Sequence, residues 1–154
     1  MDFNELITDF ATRHGVENLA VDDGAAAIEV DGIAVALADA GGDLLASAVI
    51  GEPPADGRAE FADLLLEANL ELDAFFAKSK ESGRYILSRR LPLVGLDGAS
   101  CDAALESLVN SAETWQRLLE DFRPAAAEAA AKMEESAASG MVSGSTSLGG
   151  FMQV

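Results

Sequence analysis

Ile28-Glu29-Val30-Asp31-Gly32-Ile33-Ala34-Val35-Ala36-Leu37 is the stretch that decides the fold. Ile28 and Val30 alternate with Glu29 and Asp31, the period-two pattern of a half-buried strand. Asp31-Gly32 follows, a pair that accepts the positive φ angles of a tight type I′ turn. Beyond it Ile33, Val35 and Leu37 point one way, and Ala34, Ala36 and Ala38 the other. The stretch is therefore a hairpin with one large apolar face and one face of small residues that permits close approach by another element.

Reading outward, Leu19 to Val21 is a short apolar piece, closed by the turn Asp22-Asp23-Gly24. Ala40-Gly41-Gly42-Asp43 turns the chain again, and Leu44 to Ile50 is the next strand. Three strands in succession with short turns predict an antiparallel meander. On the N-terminal side, Phe3, Leu6, Ile7, Phe10 and His14 share one face of a helix, with Asp2 as N-cap, Glu5 completing a capping box and Gly15 as the left-handed exit. On the C-terminal side, the loop from Gly51 to Gly57 leads to a second helix, Ala59 to about Leu72. Its stripe Phe61, Leu64, Leu65, Ala68 and Leu72 is widened by Leu66 and Leu70. A helix apolar on more than one side is usually covered on more than one side, which in so short a chain points to a subunit interface. Two further strands are predicted, Ala74 to Ala77 and Tyr85 to Leu91, joined by a polar turn. A third helix from Ser100 to Phe122 carries the stripe Leu105, Leu108, Val109, Ala112, Trp115, Leu119 and Phe122. The fold class is α+β, in the order helix, three strands, helix, two strands, helix, with a twisted antiparallel sheet packed by helices. Residues 1–123 form that domain. Residues 124–154 read as an alanine-rich helical extension and a flexible Ser/Gly-rich tail, because their composition buries little surface.

The chain has 154 residues, enough for one domain with a true core, and a formal net charge of −17. The charge is segregated. Through residue 77 there are 17 acidic residues against Arg13 and Arg58, and from residue 78 onward 8 basic against 10 acidic. Such a surface repels phosphate backbones and anionic lipid, so neither nucleic acid nor membrane is expected as a partner. No apolar run reaches the length of a membrane span, and the acidic N-terminus lacks the basic start and apolar stretch of a signal peptide. The lone Cys101 cannot form an intramolecular disulfide, which fits a reducing, cytoplasmic location.

Catalytic and metal signatures are missing. One histidine and one cysteine cannot build a zinc site. Gly41-Gly42 is not followed by the rest of a phosphate-binding motif. Asp22, Asp23, Asp31, Asp39 and Asp43 lie on separate turns, where Asp is a normal turn former, so no metal or cofactor is assigned. His14 falls in the last helical turn, where it complements the dipole. Trp115 lies on a core stripe. Lys78, Lys80, Arg84, Arg89 and Arg90 form the single basic concentration, which either balances the acidic half as a solvated hairpin or meets the acidic half of a second subunit or partner. An enzyme working through paired carboxylates would need two acids in one cleft, and no pair can be placed from the sequence. The residues thus describe a non-catalytic binder of polypeptide.

Four segments carry a family resemblance: Leu6-Ile7-Thr8-Asp9-Phe10-Ala11 with Gly15-Val16; Leu64-Leu65-Leu66-Glu67-Ala68-Asn69-Leu70; Ile86-Leu87-Ser88-Arg89-Arg90-Leu91-Pro92-Leu93; and Ser111 to Leu119 around Trp115. In that order and spacing, over residues 3 to 122, the chain resembles the Tir chaperone (CesT/SycE-like) family, the class I chaperones of type III secretion. It departs from the family pattern in its alanines at 25–27, 34, 36 and 38, in Leu70 where an aromatic is usual, and in its long tail. The resemblance implies a homodimer that holds the N-terminal region of a secreted effector in extended form through β-augmentation and apolar pockets. Carried over by position, Leu64, Leu65, Ala68, Asn69 and Leu72 would form the dimer contact, and Phe3, Leu6, Phe10, Leu19, Ile28 and Val30 the partner pockets. A chaperone-like domain with a regulatory or scaffolding role outside secretion is the alternative.

Overall fold

The computed structural model describes residues 2–17 and 19–124. The alanine-rich extension and Ser/Gly tail expected beyond residue 124 lie outside the described residues. The elements run α1 (Phe3–His14), β1 (Ala25–Val30), β2 (Ile33–Asp39), β3 (Asp43–Gly51), α2 (Arg58–Ala68), β4 (Phe75–Lys78), β5 (Tyr85–Pro92) and α3 (Gly98–Asp121). This is the predicted order. The strands form one five-stranded antiparallel sheet in the order β1-β2-β3-β5-β4, so β1 and β4 are its edges.

Local chemistry sets the boundaries. Asp2 accepts from the Glu5 backbone N–H while the Glu5 carboxylate accepts from the Asp2 N–H, closing the capping box. Gly15 ends α1 at φ 65°, and the Val16 N–H reaches back 2.9 Å to the Ala11 carbonyl, a closure that aims Val16 away from the helix. Asp31 and Gly32 both have positive φ, 49° and 81°, as the hairpin turn requires. Asp97 caps α3 by accepting from the Ser100 N–H. Leu19 to Val21 forms no strand, and only an isolated bridge joins Asp22 to Ala25.

The second helix is shorter than its apolar stripe suggests, ending at Ala68 rather than about Leu72. The Asn69 side chain explains the stop. Its Oδ1 accepts from the Phe76 N–H at 2.6 Å and its Nδ2 donates to the Phe76 carbonyl at 3.4 Å. Asn69 therefore hydrogen-bonds β4 rather than water, and the chain turns through Leu70 and Glu71. At the other end Gly57 is left-handed, φ 74°, and a Cβ there would sit 2.6 Å from Pro124 Cβ. Only glycine lets the start of α2 approach the segment that leaves α3.

The core lies between one face of the sheet and the helices. Val35, Leu37, Leu44, Ala46, Ala48 and Leu87 are almost fully buried there, against Leu105, Leu108, Val109 and Ala112 of α3 and Leu6 and Ile7 of α1. Phe61 of α2 completes it. Its ring stacks on Tyr85 at 5.7 Å and meets Phe122 and Trp115 edge-on at 5.1 and 6.2 Å, the offset and edge-on geometries that aromatic quadrupoles favour. No described helix is long and apolar enough to cross a membrane.

Candidate protein-binding surface

The opposite face of the sheet is uncovered by any described element. The register sets Ala27 beside Ala36, Ala36 beside Ser47, Ser47 beside Ser88 and Ser88 beside Phe75, a row of mostly small side chains across all five strands. Flanking it are Ala25, Ala34 and Ala38, with Val49 exposed at 44% and Phe75 at 39%. The Ser47 and Ser88 hydroxyls bond each other at 2.7 Å, so the middle of this face satisfies its own polar groups and is left smooth and largely apolar. The alanine side of β2, read from the sequence as a place of close approach, is thus open in the single chain.

The edge strand β1 borders a groove of about 440 Å³. Phe10, Val16, Val30 and Leu105 give it an apolar lining, and Glu29, Asp31, Asp102 and Glu106 an acidic one. One wall is held by ion pairing between helices. The Arg13 guanidinium lies between Asp9, one turn back, and Asp102 of α3, while His14 Nε2 is 3.2 Å from Asp102 and its ring is 4.4 Å from that of Phe10. Desolvation works against ionisation of Asp102, but the bonds from Arg13 and His14 outweigh it and hold the carboxyl below its ordinary value. The bonds from Asp102 and Asp9 in turn push the Arg13 pKa up. Next to this wall Cys101 is sealed in the core, and burial pushes its thiol up to about 11, which makes it a weak nucleophile.

The anticipated partner-binding residues divide by burial. Phe3, Leu6 and Ile28 are 3%, 1% and 7% exposed. In the single chain they pack in the core. Phe10, also nearly buried, does reach the groove, as does the half-buried Val30, and Leu19 packs half-buried against the core. The anticipated dimer residues divide likewise. Leu65 is buried in the single chain. Ala68, Asn69 and Leu72 are half-buried, and Leu64 is 43% exposed. Leu66 at 65% and Leu70 at 90% present more apolar surface still.

Val16, Leu105, Asp102 and Glu106 of the groove were not among the anticipated site residues. Val16 had a signal: an apolar residue just after a glycine helix stop is aimed outward. Leu105 had none, since its stripe position on α3 reads simply as core.

Among the described residues no group of three or more His, Cys, Asp or Glu side chains could hold a metal ion. Comparison with known proteins places the fold. The family model for the Tir chaperone protein (CesT) family matches residues 5–116. No curated protein matches significantly. Among solved structures, a chain of the ExsC–ExsE complex is 25% identical with a TM-score of 0.65, over 75% of this chain and 92% of that one. The Yersinia pestis type III secretion chaperone SycH, solved with a stable fragment of YscM2, is 26% identical with a TM-score of 0.59, over 74% of this chain and 99% of that one. The HopA1–SchA chaperone–effector complex shares the fold at 18% identity and a TM-score of 0.64, over 75% of this chain and 93% of that one. With a family model covering well over half its length, the chain belongs to the Tir chaperone protein (CesT) family.

Proposed function

We propose that this protein is a homodimeric, non-catalytic chaperone of type III secretion, working in the cytoplasm. It binds the N-terminal region of a secreted effector in extended form and keeps it soluble and secretion-competent. The observation that carries the reading is the edge strand β1. Apart from Ala25, which bridges to Asp22, its outward backbone groups have no strand partner among the described residues, and an apolar groove lies beside it. An extended peptide that adds to such an edge gains main-chain hydrogen bonds, and alternate side chains drop into adjoining pockets. Sheet, groove and apolar face need no catalytic group for this work. The solved structures of ExsC–ExsE, HopA1–SchA and SycH with YscM2 are each complexes with a second polypeptide, which supports polypeptide binding here.

Dimerisation through α2 is the second half of the proposal. Leu64, Ala68, Asn69 and Leu72, with Leu66 and Leu70, offer an apolar face that a single chain leaves half open. Joining two subunits doubles the edges available to one effector segment and raises their effective concentration.

The test is co-expression with candidate effectors, followed by pull-down and mass spectrometry. Capture of a protein whose binding segment is its N-terminal region, by a complex containing two copies of this chain, is the expected result. Light scattering that gives a monomer at micromolar concentration rejects the dimer. Failure to retain any secreted protein's N-terminal segment rejects the chaperone reading.

A further inference from the structure

The groove beside β1 is chemically two-sided, and its charges are not all matched among the described residues. Phe10, Val16, Val30 and Leu105 supply an apolar floor. Of the four carboxylates around it, only Asp102 is engaged among the described residues, by Arg13 and His14. The side-chain carboxylates of Glu29, Asp31 and Glu106 accept no hydrogen bond and join no ion pair among the described residues. Arg13, the adjacent cation, is already held between Asp9 and Asp102. An uncharged apolar ligand would fill the floor and leave the three exposed carboxylates at its border without an opposite charge. A cation brought beside such carboxylates is attracted to them.

We infer that the groove selects a partner segment with an apolar side chain flanked by Lys or Arg. The inference rests on the chaperone reading above and adds the chemistry of the segment it holds. The geometry suits an extended chain. Along a strand added at β1, successive side chains alternate between the two sheet faces. An apolar residue turned to the helix side lies over Phe10, Val30 and Leu105. Its immediate neighbours turn to the side on which Glu29 stands exposed, at the end of β1 next to Asp31. Glu106 remains on the helix side for a cation two positions along. Basic–apolar–basic is thus the pattern that satisfies both halves of the groove.

The probe is a short fluorescein-labelled peptide carrying Lys-Leu-Lys-Lys between serines, which sets a lysine on each side of the leucine and one two positions along, followed by fluorescence anisotropy with the full chain. Two relatives serve as comparison, one with Glu for each Lys and one with Ser for Leu. The selective variant is E29Q/D31N/E106Q. The charge-matched control, D56N/E81Q/E120Q, removes three exposed carboxylates elsewhere. The expected result is binding of the Lys-Leu peptide, weakened about tenfold by the groove variant and much less by the control, since each exposed ion pair is worth up to about 1 kcal/mol. The Glu and Ser peptides bind more weakly than the Lys-Leu peptide to the parent protein. Equal weakening by both variants reduces the effect to net charge and overturns the inference, as does equal binding of the Lys and Glu peptides. Tighter peptide binding on Lys132→Glu would put the chain's own tail in the groove, and peptide affinity that falls as protein concentration rises would put a second copy there. Either overturns the assignment to a partner. The chaperone reading is separable. An effector captured equally by parent and groove variant sinks only this inference, whereas peptide selectivity without effector capture sinks only the chaperone.

Discussion

The side-chain amide of Asn69 is bonded at both ends to the backbone of Phe76, accepting from its N–H and donating to its carbonyl. One residue thereby ends α2, fixes the turn after it and positions the edge strand β4. Phe76 is itself buried and meets Trp115 edge-on at 4.8 Å. The position that the family resemblance assigned to a subunit interface therefore also organises the single chain.

Asn69→Ala leaves the Phe76 N–H without its partner, and the expected loss is about 1–3 kcal/mol. Asn69→Asp keeps the acceptor and loses the donor, so its loss is smaller. Urea unfolding followed by tryptophan fluorescence ranks the three proteins. Equal stability of all three would rule out a clamping role for Asn69.

Phe61→Ala removes the ring around which Tyr85, Trp115 and Phe122 pack, and the expected destabilisation is about 3–5 kcal/mol. Phe61→Leu retains most of the volume and loses less. Near-UV circular dichroism should show the loss of aromatic order in the alanine variant before global unfolding.

The Asp102 carboxyl titrates below its ordinary value of 3.8 in the folded protein. A group whose pKa falls on folding stabilises the fold above its unfolded value, and that contribution disappears as the pH drops through the folded value. Asp102→Asn should therefore be less stable than the parent at neutral pH, by about 0.5–1 kcal/mol for a partly exposed pair, and the gap should close below the ordinary carboxylate range. Thermal melts across the acid limb measure it. A gap that widens toward low pH would contradict the assignment.

Leu66→Glu and Leu70→Glu alter side chains that the single chain leaves largely in water. Each should leave the unfolding midpoint of the isolated chain within about 0.5 kcal/mol of the parent while shifting light-scattering mass toward the monomer. Unchanged dimer mass in the double variant would move the subunit contact away from α2.

Cys101 is buried and its thiol is pushed up to about 11. In the native protein it should stay unmodified by a chromogenic disulfide reagent at pH 8, and react fully once urea unfolds the chain. Rapid native reaction would indicate an opening of α3 away from α1.

Much of the site became visible only through partial burial. Phe3, Leu6, Phe10 and Ile28 carry the same apolar signal whether they meet α3 or a partner, because periodicity reports which face is apolar and not what covers it. Leu64 and Leu65 are neighbours in one leucine run, yet a rotation of about 100° per residue sends one to the core and the other to the surface. Asn69 reads as a polar residue on an apolar stripe, and its partner Phe76 is identifiable only when the intervening turn is known.

The sequence by itself determined the order of elements, the Asp31-Gly32 hairpin, the capping of α1 by Asp2 and Glu5, and the family, because these depend on local backbone preferences and on periods of two or 3.6 residues. Tertiary structure alone decided that Leu105 joins Phe10 and Val30 beneath a groove at the β1 edge, and that Glu29, Asp31 and Glu106 stand around it with no ion pair among the described residues. Those relations join residues far apart in the chain. They are fixed by how α1 and α3 cross the sheet, which no local pattern encodes.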